Sequence, residues 1–374
     1  MSVARHPLSL PRIDMQAPPL HLHGRILPAG ESKDVYVRER RITFVPVAGA
    51  RSVIDDGYLL PGLVDTHAHL ELASPAPGGS SLADTMAASA RAHLDQGVLL
   101  VREPGGPTRE ARGIGPQDGL PRVISGGRFL AAPGSYFPGL AHEVSGERLA
   151  AAAVEEYQAS GHWAKIVGDF FDADGVIVPT FEAPAIAAAV AAVHAAGGRV
   201  AVHAMAAATV ERAIEAGVDS LEHATELAPE HLSGIARRGI AVVPTMLIAE
   251  PIVETVAGWG SPARELRRWQ GAVARQPEMV GRAAAEGILI LAGTDAGMVA
   301  HGRVLDEVER LRAAGLDGEV ALGAASWTAR SWLGLPGLEE GAPADIVAYA
   351  DDPRGRLGAR RPLVRILDGQ VVEG

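Results

Sequence analysis

From residue 60 onward the chain repeats one pattern: a short apolar run closing on polar or glycine-rich residues, then an alanine-rich stretch with helical spacing. Eight such runs can be placed, at 63–66, 98–102, 122–125, 164–168, 199–203, 220–223, 240–245 and 288–294. Helices are expected between most of them, at 83–96, 148–160, 184–196, 207–216 and 229–238. Gly97, Gly161, Gly197, Gly217 and Gly239 follow those stretches, where a helix end favours a residue that turns left-handed without a Cβ clash. Strands alternating with helices pair in parallel beneath a helical cover, so the class is α/β. Eight units in roughly 270 residues match the size of a (β/α)8 TIM barrel. A doubly wound open sheet shares the alternation. No GxGxxG opens a helix after the first run, so a dinucleotide site is not indicated.

The two ends of the chain read differently. Residues 20–58 alternate in short strands and turns, and 344–349 and 363–372 do the same. Neither end is large enough to bury a core alone. The expectation is a small β-sandwich domain built from 1–58 together with 339–374, flanking a barrel at 59–338.

The formal charge of −11 disfavours nucleic acid as a partner, because phosphate backbones want a basic footprint. The basic segment 354–365 reads as a solvated connection. No run is long and apolar enough to suggest a membrane span. The first residues lack the continuous apolar segment of a secretory signal, and the chain reads as cytoplasmic by default. With no cysteine anywhere, any metal must be held by nitrogen and oxygen.

The first run ends in LPGLVDTHAHL, residues 60–70. Strand alternation sends residues two apart to the same face, so His67 and His69 aim at one spot. Later runs close on chemistry-bearing residues too: Lys165, His203 and His223, with Asp295 just past the eighth. In a barrel of this kind functional side chains gather at the C-terminal strand ends. Imidazole and carboxylate suit Zn²⁺, Mn²⁺ or Fe²⁺, and four histidines plus an aspartate exceed what one open catalytic ion needs. Two ions are suggested. Ions ~3.5–4 Å apart want a negative group between them, and an ordinary lysine ammonium would worsen their repulsion.

Together the HxH pair, Lys165, His203, His223 and Asp295 resemble the amidohydrolase superfamily. GVLLVREPGG at 97–106, GTDAG…HG at 293–302 and GAPADIVAYADDP at 341–353 are similar to its prolidase-like and imidazolonepropionase-like metal hydrolases. The resemblance implies two divalent ions, zinc foremost. His67, His69 and Asp295 would hold one and His203 and His223 the other, with a carboxylated Lys165 and a hydroxide bridging them. It also implies that Asp295 takes the proton of the attacking water and passes it to the leaving nitrogen. The implied activity is hydrolysis of an amide or peptide-like C–N bond in a small molecule of dipeptide or N-acyl amino acid type.

Four further residues are candidate substrate contacts. His301 matches the family's HG after the eighth run, Tyr136 and His142 lie in the AAPGSYFPGLAHE segment, and Arg102 could grip a carboxylate, with a salt bridge at the barrel rim as its competing role. His21 and His23 repeat the HxH spacing but have no partners at later strand ends, and read as a decoy. Trp327 and Trp332, on a helix expected at 320–333, read as core packing. One rival is a mononuclear deaminase or cyclic-amide hydrolase of the same superfamily. Such deaminases commonly carry a glutamate three residues after the fifth-strand histidine, whereas Ala204, Met205 and Ala206 follow His203. A rival of another class is a non-catalytic binding barrel. A homo-oligomer is allowed.

Overall fold

The computed structural model describes residues 18–72, 81–355 and 361–373. The strand–helix repeat is carried by two parallel sheets. Leu63–Asp65, Val98–Glu103 and Arg122–Ser125 form one. His142–Glu143, Phe129–Ala131, Trp163–Val167, Arg199–Ala204, Ser220–His223 and Ala241–Val243 form the other, in that order. Helices Leu82–Asp95, Gly146–Ser160, Ala183–Ala195, Ala207–Ala216 and Pro229–Arg238 lie between strands. The five glycines that follow them all have positive φ, as a helix end of this kind requires.

The two-residue period of a strand sorts side chains into separate cores. Ala164, Ile166, Val200, Val202 and Leu221 join the large apolar layer that the helices cover. Trp163, Ala201, Ala241 and Val243 pack instead with Val64, Leu100 and Leu291 in an interior cluster. Lys165 and His203 share the parity of Trp163 and Ala201, so the same alternation turns them inward.

The fold is TIM-barrel-like, but its strand ladder is not a regular ring. The run at 288–294, expected as the eighth strand, makes only an isolated bridge, Val242 with Ile290. It is still tied on both sides. Leu291 N donates to Val242 O at 3.0 Å, and Thr66 N donates to Ala292 O at 2.9 Å. A Cβ on Gly293 would come within 2.5 Å of Val243 Cγ1 and 2.6 Å of His67 Cβ, so glycine is what lets this run lie against its neighbours.

Two other elements depart from the sequence reading. The helix expected at 320–333 is two short ones, Gly318–Gly323 and Trp327–Trp332. Ser326 leaves the helical region between them, at φ −147° and ψ −107°, and its Oγ donates to Pro61 O at 2.7 Å. Trp332 packs on Trp163 with ring centroids 5.1 Å apart, and Trp327 packs on the large core. A 23-residue helix, Ala263–Ala285, was not foreseen; its Gln276 Nε2 donates to His223 O at 3.1 Å and Pro244 O at 2.9 Å, pinning two strand ends.

Both chain ends contribute to one further sheet of eight strands. Leu20–Ile26 lies within it beside Glu31–Arg38, while Tyr58–Pro61 joins Ile346–Tyr349 and feeds directly into Leu63–Asp65. Leu22, Val35, Ile42, Leu59, Ile346 and Ile366 share a core of their own. The expected sandwich is thus a single mixed sheet curled over that core. Ile42 N donates to Ala342 O at 2.9 Å as the curl brings distant strands together. His21 and His23 sit on this sheet and both reach Asp34 Oδ1, at 2.8 and 3.0 Å. Residues 356–360 of the basic segment lie outside the described residues, while Arg354 pairs with Asp352 and Arg365 with Asp95. Among the described residues, no helix is long and apolar enough to cross a membrane.

Candidate functional site

The strand ends bring His67, His69, Lys165, His203, His223 and Asp295 to the wall of one cavity. His67 Nδ1 lies 2.7 Å from Glu222 Oε2, and His69 Nδ1 lies 2.7 Å from Gly105 O. A carboxylate and a carbonyl only accept, so each Nδ1 carries a proton, and the tautomer this selects leaves Nε2 as the lone-pair position of each ring. Those two Nε2 atoms face each other at 3.2 Å. Asp295 Oδ1 stands 3.4 Å from the first and 3.1 Å from the second. Three acceptors converging with no proton among them repel one another unless a cation sits between them.

The remaining rings continue the cluster. The His223 ring centroid is 5.0 Å from that of His67 and 4.6 Å from that of His203. One ligand atom each from His67, His223 and Asp295 falls within a mutual 4.8 Å, close enough to share an ion. Burial holds His69 below its ordinary value and His223 well below it, which keeps both imidazoles neutral and ligand-ready. Burial alone would raise the Asp295 carboxyl; positive charge beside it, from whichever of the His67, His69 and His223 rings is protonated, holds it well below the usual carboxylate range. Lys165 is buried, and desolvation pushes its ammonium down to about 8, helped by Arg102 and opposed by Glu222 and Asp295. No carboxylate of the described residues lies within ion-pair distance of its Nζ.

His223 and Asp295 are held in the left-handed region, at φ 71° and 55°. Ala224 and Thr245 beside them have φ 44°. Non-glycine residues there cost of order 1–3 kcal/mol each and gather where a site needs its side chains aimed. Behind the cluster, Asp65 Oδ1 accepts from His67 N and Thr294 N, each at 3.1 Å, and Oδ2 from Thr294 Oγ1 at 2.6 Å. One carboxylate thereby locks the first strand to the run carrying Asp295. Burial raises it to about 6.

Two contributors escape a motif reading. Glu222 joins His67 to a buried guanidinium: Arg102 Nη1 and Nη2 each donate to Glu222 Oε1 at 3.1 Å. Asp169 accepts from Met205 N and Ala206 N at Oδ2, while its Oδ1 lies 3.1 Å from His203 Nε2. That geometry is off the hydrogen-bonding direction, so this buried Oδ1 has no hydrogen-bond partner among the described residues. An orphaned carboxylate oxygen beside an imidazole is a second mark of a cation site.

Of the four candidate substrate contacts, only Tyr136 reaches the cavity wall. Arg102 lies fully buried beneath His67, stacked on Trp163 at 4.1 Å and paired with Glu222 at 3.1 Å, so it has no face to offer a substrate. This corrects the carboxylate-gripping role in favour of the salt bridge. His142 is drawn outward by Arg128 Nη2 at 2.9 Å and by Glu156 at 3.4 Å, and lines a separate surface hollow. His301 donates from Nε2 to Leu72 O at 2.7 Å and meets His93 Nε2 at 3.1 Å, a packing role behind the wall.

The chain resembles known proteins along most of its length. The profile of the Amidohydrolase family matches residues 58–372. Uncharacterised proteins of Mycobacterium tuberculosis and Mycobacterium bovis are 37% identical over 356 residues, spanning 94% of this chain and 95% of theirs. Among solved structures, a Xaa-Pro dipeptidase with bound methionine in the active site superposes with TM-score 0.80 at 22% identity, over 95% of this chain and 100% of that one. The A. niger ochratoxinase gives TM-score 0.77 at 20% identity, over 96% of each chain. At such identities these structures speak to the fold alone.

Proposed function

Since the chain belongs to the amidohydrolase family, and is a hydrolase acting on carbon–nitrogen bonds, we propose that it cleaves an amide or peptide-like bond of a small molecule at a two-metal centre. The observation that carries this reading is the convergence of the His67 and His69 Nε2 lone pairs, 3.2 Å apart, on Asp295. In this reading His67, His69 and Asp295 would hold one ion and His203 and His223 the other. When bound, a pair of divalent ions acidifies water and polarises the scissile carbonyl.

The chain's own groups do the rest. Asp295, ionised at neutral pH, accepts the proton of the attacking water and returns it to the departing nitrogen. A C–O bond forms, the C–N bond breaks, and the proton ends on the amine. Lys165 would serve both ions as a carbamate. Burial leaves a share of its amine neutral near pH 8; that amine attacks the carbon of CO₂, an N–C bond forms and a proton is released. The product is the anionic oxygen ligand that two neighbouring cations require.

Chelation should abolish amide hydrolysis, and added Zn²⁺ or Mn²⁺ with bicarbonate should restore it. Asp295→Asn should lower kcat about 100-fold or more. Turnover that survives metal removal would overturn the reading.

A further inference from the structure

The cavity in front of the cluster encloses about 800 Å³ counting its open mouth. Its wall away from the strand ends is almost wholly apolar. Phe137, Phe170 and Phe171 line it together with Met205 and Ile252. The rings interlock: Phe137 meets Phe170 edge-on at 5.2 Å, and Phe171 stacks on Trp259 at 4.7 Å with planes 8° apart. Trp259, behind Phe171, is 44% exposed.

Equally informative is what the wall omits. Lys165 is the one Lys or Arg among the described lining residues, and Asp169 and Asp295 the only carboxylates, all within the cluster itself. Nearby guanidiniums are spoken for: Arg102 by Glu222, Arg128 by Glu156 and Arg268 by Glu226. Thr255 Oγ1 is spent on Pro251 O at 2.9 Å, which leaves Tyr136 as the neutral polar group of the wall.

A dipeptide or an N-acyl amino acid would carry a carboxylate into this wall, and burying that charge without a partner is heavily disfavoured. Aromatic rings on the wall favour an apolar group by area and by ring–ring geometry. We propose that the substrate is an uncharged amide whose flanking group is aromatic or bulky and apolar, with no free carboxylate or ammonium next to the scissile bond. This deepens the hydrolase reading above and rests on it.

The test uses pairs that differ by one carboxylate, offered to the metal-loaded full chain: N-acetylphenethylamine against N-acetylphenylalanine, and N-ethylbenzamide against N-benzoylglycine. The neutral member of each pair should show kcat/KM about 100-fold higher or more. Thr255→Arg, or Ile252→Arg if the first fails to fold, should raise turnover of the charged member and shrink that ratio. Equal or better turnover of the carboxylates by wild type would overturn the substrate class while leaving the hydrolase reading intact. If neither member of a pair is cleaved, calorimetry on the same pairs separates the two ideas. Tighter binding of the neutral compound sustains the substrate class although the hydrolase reading fails; tighter binding of the carboxylate, or no binding of either, overturns it.

Discussion

Replacing Glu222 by glutamine removes one negative charge and almost no volume, and the consequences can be worked out from its neighbours. Arg102 is fully buried, with its guanidinium held by Glu222 Oε1 twice at 3.1 Å, Ser220 Oγ at 2.9 Å and Thr66 O at 3.0 Å. Glutamine keeps an acceptor at Oε1 for Arg102 and Ser220, but its amide nitrogen replaces Oε2 and meets the proton on His67 Nδ1, so that hydrogen bond goes together with the charge. Breaking a buried pair by neutralising one partner costs about 3–5 kcal/mol, because the other charge stays buried and uncompensated. That is a large part of the roughly 5–15 kcal/mol that holds a typical fold together. The assay is urea unfolding of chelator-treated protein, followed by tryptophan fluorescence, since Trp163 lies 4.1 Å from the guanidinium. Chelation keeps metal binding at His67 out of the measurement. Adding Arg102→Met should rescue much of the loss, since the orphaned charge is gone, and the double-mutant cycle should show coupling of at least about 2 kcal/mol. A loss under about 1 kcal/mol for Glu222→Gln, or strict additivity in the cycle, would refute the reasoning.

Three further outcomes follow from single residues. Glu307 accepts from Met246 N at 2.8 Å and Leu247 N at 3.0 Å, yet burial pushes its carboxyl up to about 8. A folded value above the unfolded one gives stability that is complete below the ordinary carboxylate range and lost as pH rises through about 8. Unfolding free energy should therefore fall from about pH 5 to about pH 8 by at most about 1.4 kcal/mol per pH unit from this group, and Glu307→Gln should flatten the slope; an unchanged slope contradicts this. A Cβ on Gly126 would sit 1.8 Å from Pro104 O and 2.6 Å from Pro104 C, so Gly126→Ala should cost about 2–3 kcal/mol in urea unfolding, whereas a loss below about 0.5 kcal/mol would mean the backbone yields freely. Asp169→Asn removes the charge beside His203 and should weaken metal affinity about 10–100-fold in a chelator competition; equal affinity would detach Asp169 from the centre.

Much of the α/β repeat could be read from periodicity because its strands are buried on both faces and its helices stop at glycine. The run 220–223 and the helices 207–216 and 229–238 fall where the pattern puts them. The eighth run was harder to read. Its apolar composition resembles a strand, but its backbone bonds are shared between two neighbours without a regular ladder. The site's gathering was legible from the strand ends, whereas its support was not. Strict alternation would send Glu222 and His223 to opposite faces; the left-handed backbone at His223, φ 71°, lets both act on the interior. Nothing in the composition of SLEHATE announces that twist. Arg102 did carry a signal, since it shares the parity of Leu100, an interior residue, and so belongs inside rather than at the rim. The long helix at Ala263–Ala285 was hidden by Pro277, which reads as a breaker.

Metal content per chain, measured on protein loaded with Zn²⁺ and bicarbonate and then desalted, tests the core of this account most directly. Two equivalents in wild type falling to about one in Lys165→Ala is the result expected of a bridged pair. A wild-type chain that retains no zinc above trace would contradict the metal centre altogether, and single occupancy in both proteins would contradict the bridge.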